Sequence, residues 1–154
     1  MNANIRQYQQ RDQNELMAAW EAANSLAHSF LDNDFVAQVR RDIPAVYLPN
    51  ADTWVAEIDQ CVVGFIALMG HQVGALFLQP EHHGKGIGKA LMDKAQTLHG
   101  YLEVEVFKAN AIGRKFYASY GFKLQEQKCD QKPEEALAEL AGHPVLRLKF
   151  SASQ

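Results

Sequence analysis

The chain has 154 residues, 47% hydrophobic and 21% charged, with 18 acidic against 15 basic side chains and a formal net charge of -3. That length suffices for one domain with a substantial core, and the composition is that of a globular chain rather than a disordered one. The slight acidic balance speaks against a nucleic-acid binder, which would gather basic excess on one face, and no apolar run approaches the roughly 20 residues of a membrane span.

The polar start, Met1 to Gln7, lacks the basic and apolar regions of a signal peptide. Cys61 and Cys129 stand alone, without zinc-ligand spacing, and read as reduced thiols. A cytosolic location is therefore expected. No repeat, low-complexity tract or linker divides the chain, so residues 1–154 are expected to form a single domain.

In chain order, Ile5 to Tyr8 is a short strand candidate. Asp12 and Glu15 have the spacing of a capping box. Behind them Leu16, Trp20, Ala23, Ala27 and Phe30 recur at helical spacing. A second helix is expected from Asp32 or Asp34, with Phe35, Val36, Val39 and Ile43 on one face, until Pro44 kinks or ends it. Pro49 to Asp52 reads as a loop. Strands are expected over Thr53–Ile58, Cys61–Met69 and Val73–Leu78, the last two apolar enough to be covered on both faces. A glycine-rich turn then opens a helix carrying Ile87, Leu91, Ala95 and Leu98. Tyr101–Phe107 alternates as a strand, Ala109–Tyr120 is a helix, and Gly121 suits its C-terminal cap. A strand over Phe122–Lys128, a short helix from Pro133 and a closing strand over Val145–Phe150 complete a mixed α/β order.

The segment from Leu76 to Leu91 is a strand, a tight turn and a helix start. Glycines allow close backbone approach to an anion, and a helix N-terminus offers unpaired N–H groups and a favourable dipole. Lys85 and Lys89 add positive charge, so a phosphate cradle is one reading and a turn cluster without ligand is the other. Two phosphate motifs fail on spacing. Counted from Gly84, Lys89 occupies the position that a Walker A loop and a dinucleotide fingerprint each give to glycine. His82 and His83 are adjacent and have no partner at ligand spacing, so no metal site is expected.

The turn His83-Gly84-Lys85-Gly86-Ile87-Gly88 resembles the Gln/Arg-x-x-Gly-x-Gly/Ala motif of the GCN5-related N-acetyltransferase (GNAT) superfamily, with His83 in place of the usual Arg or Gln. A second likeness runs from Val106 through Asn110, Phe116, Tyr117 and Gly121 to Phe122, and the element order resembles the family's over nearly the whole chain. The stretch Ala27 to Leu31 is also similar to small bacterial members. The resemblance implies the GNAT fold: a mixed, mostly antiparallel sheet with helices on both faces. It further implies transfer of an acetyl group from acetyl-CoA to a primary amine of a small molecule or protein, by direct attack in a ternary complex.

The same resemblance distributes roles. His83, Gly84, Lys85, Gly86, Ile87, Gly88 and Lys89 would hold the pyrophosphate of coenzyme A. Leu76, Phe77 and Leu78 would pair with its pantetheine arm, the N–H of Phe77 or Leu78 serving as oxyanion donor. Asn110, which also suits a helix N-cap, and Phe116 would border the arm. Tyr117 would be the general acid, protonated at neutral pH with a free pKa near ~10; as a helix aromatic it also suits a core position. Glu103 and Glu105 share one strand face; Glu105 is the candidate base, and Glu103, His28 and His71 are further candidates. His28 and Phe30 are expected to bind the acceptor. A non-catalytic acyl-CoA-binding module is the alternative reading, and the chain would be a monomer or a homodimer.

Overall fold

In the computed structural model the described residues are 3–125 and 138–151. Their centre is one sheet in the order β1-β2-β3-β4-β5-β8-β6, with β7 paired to β8 beside β6. The strands are β1 (Asn4–Gln7), β2 (Asp52–Ile58), β3 (Cys61–Met69), β4 (Gln72–Leu78), β5 (Leu102–Phe107), β6 (Lys123–Leu124), β7 (Ala138–Leu140) and β8 (His143–Phe150). Every pairing is antiparallel except β4 with β5, so the expected mixed, mostly antiparallel sheet is what the chain forms.

Helices cover both faces. α1 (Gln13–Ala27) buries Leu16, Ala19, Trp20 and Ala23, and Leu16 and Trp20 pack with Val55, Val62 and Phe65 of the sheet. α2 (Asn33–Asp42) follows, capped by Asp32, whose carboxylate accepts from the Phe35 N–H at 2.8 Å. On the opposite face α4 (Ile87–His99) buries Ile87, Leu91, Met92 and Ala95 among Ile66, Val104 and Val106. α5 (Ala111–Tyr120) adds Tyr117 to the same core.

Four local expectations change. Asp12 does not cap α1. Its carboxylate, nearly fully buried, takes both arms of the Arg6 guanidinium at 2.8 Å and the Gln9 N–H at 2.8 Å. Glu15 instead accepts from the Val62 N–H and ties α1 to β3. α2 ends at Asp42, just ahead of Pro44, but a five-residue π turn (Ile43–Tyr47) carries the helical path into the short α3 (Leu48–Asn50), where a loop was expected. Among the described residues the strand after Phe122 covers Lys123–Leu124 and stops before Gln125. Residues 126–128 of that expected strand, the helix expected from Pro133, and Cys129 lie outside the described residues. β7, unanticipated, forms a hairpin with β8 through Ala141 and Gly142, both at positive φ.

The feature that shapes the site is a parting of the sheet. β4 and β5 pair only at Gln72↔Glu103 and Val73↔Val104. Just beyond, Gly74 is an extra residue in β4 between Val73, opposite Leu68, and Ala75, opposite Ala67. Such a bulge bends its strand and increases its twist. From Gly74 to Leu78 the strand stays with β3 and leaves β5. β3 is buried at seven consecutive positions, whereas the equally apolar β4 is fully buried only at Val73 and Leu78.

Candidate active site

The gap between β4 and β5 opens into a cavity of about 1140 Å³. The open edge of β4 supplies backbone groups to it. Gln79 donates its N–H to Val63 of β3 at 2.9 Å. By the alternation of an antiparallel ladder, the N–H of Phe77 points the same way, and those of Leu76 and Leu78 point into the gap. The carbonyl of Leu78 agrees, since it meets His83 Nε2 at 3.0 Å rather than a β3 donor. Of the two candidate donors this geometry favours Leu78; Phe77 turns its N–H toward β3 and its side chain toward α1.

At the end of β4 a 3-10 turn (Pro80–His82) leads into the glycine loop. Gly84 and Gly86 have φ of +78° and +82°, conformations that cost a side-chain-bearing residue about 1 kcal/mol or more. Gly88 is required for another reason. A Cβ there would come within 3.1 Å of the Phe116 ring, which packs over the start of α4. With Gly86 as N-cap, the N–H groups of Ile87, Gly88 and Lys89 have no partner within the helix and face its positive dipole end outward. These features suit an anion on the loop and an extended, amide-bearing arm along β4.

His83, Gly84, Gly86, Gly88 and Lys89 border the cavity, as do Leu76, Phe77, Leu78, Asn110, Phe116 and Tyr117. Ile87 does not: its side chain anchors the helix in the core. Lys85 is exposed and outside the lining. Lys89 spends its ammonium on Asp93 at 2.9 Å, and Asp93 also accepts from the Tyr120 hydroxyl at 2.7 Å.

The wide end of the gap is bridged by a chain of hydrogen bonds. Asn110 Oδ1 accepts from the Gly113 N–H at 2.8 Å and caps α5, which assigns its other side-chain atom as the amide donor. That Nδ2 meets His28 Nε2 at 3.2 Å, so His28 carries its proton on Nδ1, where it donates to Asn24 Oδ1 at 2.7 Å. Burial pushes the imidazole pKa down to about 4. With both ring nitrogens engaged, His28 borders the cavity and forms a strut between α1 and α5. Phe30 does not border the cavity; its ring lies 5.4 Å from Phe107 and 4.8 Å from His143.

Tyr117 reaches the cavity from α5, nearly fully buried, and its hydroxyl has no hydrogen-bond partner among the described residues. Burial raises its pKa, so the hydroxyl stays protonated. Glu103 and Glu105 both border the cavity from β5 but differ in partner. Glu105 is paired with Arg147 Nε at 3.1 Å; Glu103 accepts from the neutral side-chain amide of Gln125. His71 lies away from the cavity, stacked on Tyr101 at 3.7 Å. Asn24, Gln125 and Arg147 were not singled out in the sequence. Asn24 stands four residues before His28, a helical spacing that could have found it. No signal marks Gln125, because its meeting with Glu103 is set by the sheet.

No group of three or more His, Cys, Asp or Glu suited to a metal ion occurs among the described residues, and no described helix is long and apolar enough to cross a membrane. Residues 49–124 match the family model described as an acetyltransferase (GNAT) domain. The peptidyl-lysine N-acetyltransferase YjaB of Salmonella typhimurium is 37% identical over 80% of this chain and 86% of that protein. The peptidyl-lysine N-acetyltransferase YiaC of Escherichia coli is 31% identical over 78% and 83%. The solution structure of apo-form YjaB from Escherichia coli has a TM-score of 0.82 at 27% identity, covering 99% of this chain and 100% of that one. A Thermoplasma acidophilum PaiA N-acetyltransferase in complex with coenzyme A shares the fold, with a TM-score of 0.75 at 17% identity over 98% and 99% of the two chains.

Proposed function

The chain belongs to the GNAT family and is an acetyl-CoA-dependent acyltransferase, and from that premise we propose that its acceptor is the side-chain amine of a lysine in a protein or peptide. The names of its relatives YjaB and YiaC support this acceptor. The observation that carries the chemistry is the parted sheet, with the Leu78 N–H directed into the gap and the Tyr117 hydroxyl, without a hydrogen-bond partner among the described residues, on the same cavity.

Acetyl-CoA supplies a carbonyl activated as a thioester and a thiolate leaving group. Gly84, Gly86, Gly88 and the first N–H groups of α4 hold its pyrophosphate, and the open edge of β4 holds its arm. The Leu78 N–H hydrogen-bonds the carbonyl oxygen as negative charge grows there, a fixed dipole that needs no reorganisation. Glu103, which forms no ion pair among the described residues although Lys149 stands opposite it on β8, draws in the ammonium; Glu103 or Glu105 then accepts the proton that the amine must lose before attack. Tyr117, kept protonated by burial, donates toward the departing sulfur. In sum the ammonium nitrogen loses two protons and gains a bond to the acyl carbon, while the C–S bond breaks with its electron pair left on sulfur. The first proton passes through the carboxylate to water, and the second, lost after attack, balances the one that sulfur takes from Tyr117 and so restores the phenol.

The test is thiol release from acetyl-CoA over lysine peptides, with Tyr117→Phe beside the parent. The variant is expected to lose roughly 100-fold or more in kcat, with the Kd for acetyl-CoA nearly unchanged. An unaltered kcat would remove Tyr117 from the reaction. Absence of peptide-dependent thiol release would redirect the search to other amines.

A further inference from the structure

Part of the cavity lies outside this chemistry. α2 is amphipathic, yet none of its residues is fully buried. Phe35, Val36 and Val39 look onto the cavity, across from Ala67, Ala75 and Phe77 of β3 and β4. A surface helix ordinarily draws its stability from an apolar face packed on a filled core. Val36 and Val39 rest partly on the cluster of Leu16, Trp20 and Phe65, and Arg40 adds a two-pronged ion pair with Glu21 of α1 at 2.7 and 2.9 Å and lies over the Trp20 ring, 5.7 Å from its centre. The rest of that apolar face, with Phe35, roofs one end of the cavity, an apolar chamber beside β3 and β4.

Charge divides the cavity along the gap. Among the described residues, every Lys, Arg, Asp or Glu in its lining belongs to α4, β5, α5 or β8, and none to α1, α2, β3 or β4. The strand order sets β3 and β4 on one side of the gap and β5 and β8 on the other. The amine and its proton acceptor belong with the carboxylates of β5. The β3–β4 side offers no charge to an ammonium, but it is continuous with the place of the thioester. An uncharged chain attached to the reacting carbonyl is the group that fits it.

We propose that this chamber receives the acyl chain of donors longer than acetyl, from propionyl to about hexanoyl, so that the enzyme is an acyltransferase of wider donor range than acetyl-CoA alone. The inference rests on the assignment of the thioester to the β4–β5 gap. The transfer balances as for acetyl: a C–N bond replaces the C–S bond, and the proton released by the amine is offset by one taken up by the thiol. At about 1140 Å³ the cavity stands at the upper end of the roughly 300–1,000 Å³ of ordinary ligand pockets.

The decisive measurement is binding without turnover. Acetyl-, butyryl- and hexanoyl-CoA are titrated calorimetrically into the protein with no amine present. Burying two further methylenes should tighten butyryl-CoA over acetyl-CoA by roughly 10-fold. Val36→Trp and Val39→Trp, at half-buried positions of the roof, fill the chamber. Each should abolish the gain while leaving the acetyl-CoA Kd within about two-fold, a control that also reports an intact fold. Equal or weaker binding of the longer donors by the parent overturns the proposal, as does a gain that survives in both filled variants. If acetyl-CoA itself fails to bind, the thioester assignment falls and takes the chamber with it; if it binds without chain-length dependence, only the chamber falls. A chamber that instead sets a preference for apolar residues beside the acceptor lysine, lost in Val36→Trp with no effect of acyl length, would also overturn it.

Discussion

His28 shows how far one side chain's role depends on its partners. Its depressed pKa means that the folded protein keeps it neutral down to about pH 4, while in the unfolded chain it takes up a proton near ~6.5. The folded pKa lies below the unfolded one, so the unfolded state binds more protons between these values. His28 therefore contributes its full stability above pH 6.5 and loses it as pH falls toward 4, by at most about 3 kcal/mol. His143, across Phe30, is the titratable neighbour, and Asn24 and Asn110 carry no charge. Urea midpoints at pH 6.5 and 4.5 should fall more in the parent than in His28→Gln. Equal slopes would show that His28 does not carry this dependence. The buried Arg6–Asp12 pair holds the Asp12 pKa down through its hydrogen bonds, so its stability is lost only at still lower pH.

At the scale of elements, the glycine turn is a junction of two helices and a strand. Gly86 serves by conformation and Gly88 by space, and the two substitutions should separate. Gly86→Ala strains a backbone at φ +82° and should cost about 1–2 kcal/mol while weakening coenzyme A binding. Gly88→Val collides with Phe116, displaces the packing of α5 on α4, and should weaken coenzyme A binding and lower kcat together, because Tyr117 is the next residue on α5. Calorimetry of coenzyme A and steady-state kinetics check both. A Gly88→Val variant with parental kcat would mean that the α4–α5 contact does not position Tyr117. His83 Nε2 meets the Leu78 carbonyl at 3.0 Å and so ties the loop to the end of β4.

At the scale of the whole molecule, the two arms of the sheet are joined at the narrow end by two residue pairs of β4 and β5 and at the wide end by the His28–Asn110 strut. Between them the open edge of β4 has amides without a strand partner. Hydrogen exchange should find the amides of Leu76 and Leu78 faster than those of Ala75 and Phe77, and coenzyme A should slow Leu76 and Leu78 selectively. Protection of all four alike without ligand would mean that the gap closes in solution.

Much of this was legible in the residues. Period-two and helical patterning placed most elements to within a residue or two, and the glycine spacing with the Asn110–Phe122 segment carried the family, because close phosphate approach and tight helix packing each demand particular residue types. The tertiary structure decided the rest. β3 and β4 are equally apolar in sequence, and only the Gly74 bulge and the loss of pairing with β5 make one a core strand and the other the edge of a site. Glu103 and Glu105 share a face and a residue type, and only the neighbouring strands give one an arginine and the other an amide. His28 was expected at the acceptor, and only the fold shows that, while bordering the cavity, it meets Asn110, 82 positions away, through its second nitrogen. Local sequence encodes conformation and face; which face stays unfilled, and which charge stays unmatched, depends on partners distant in the chain.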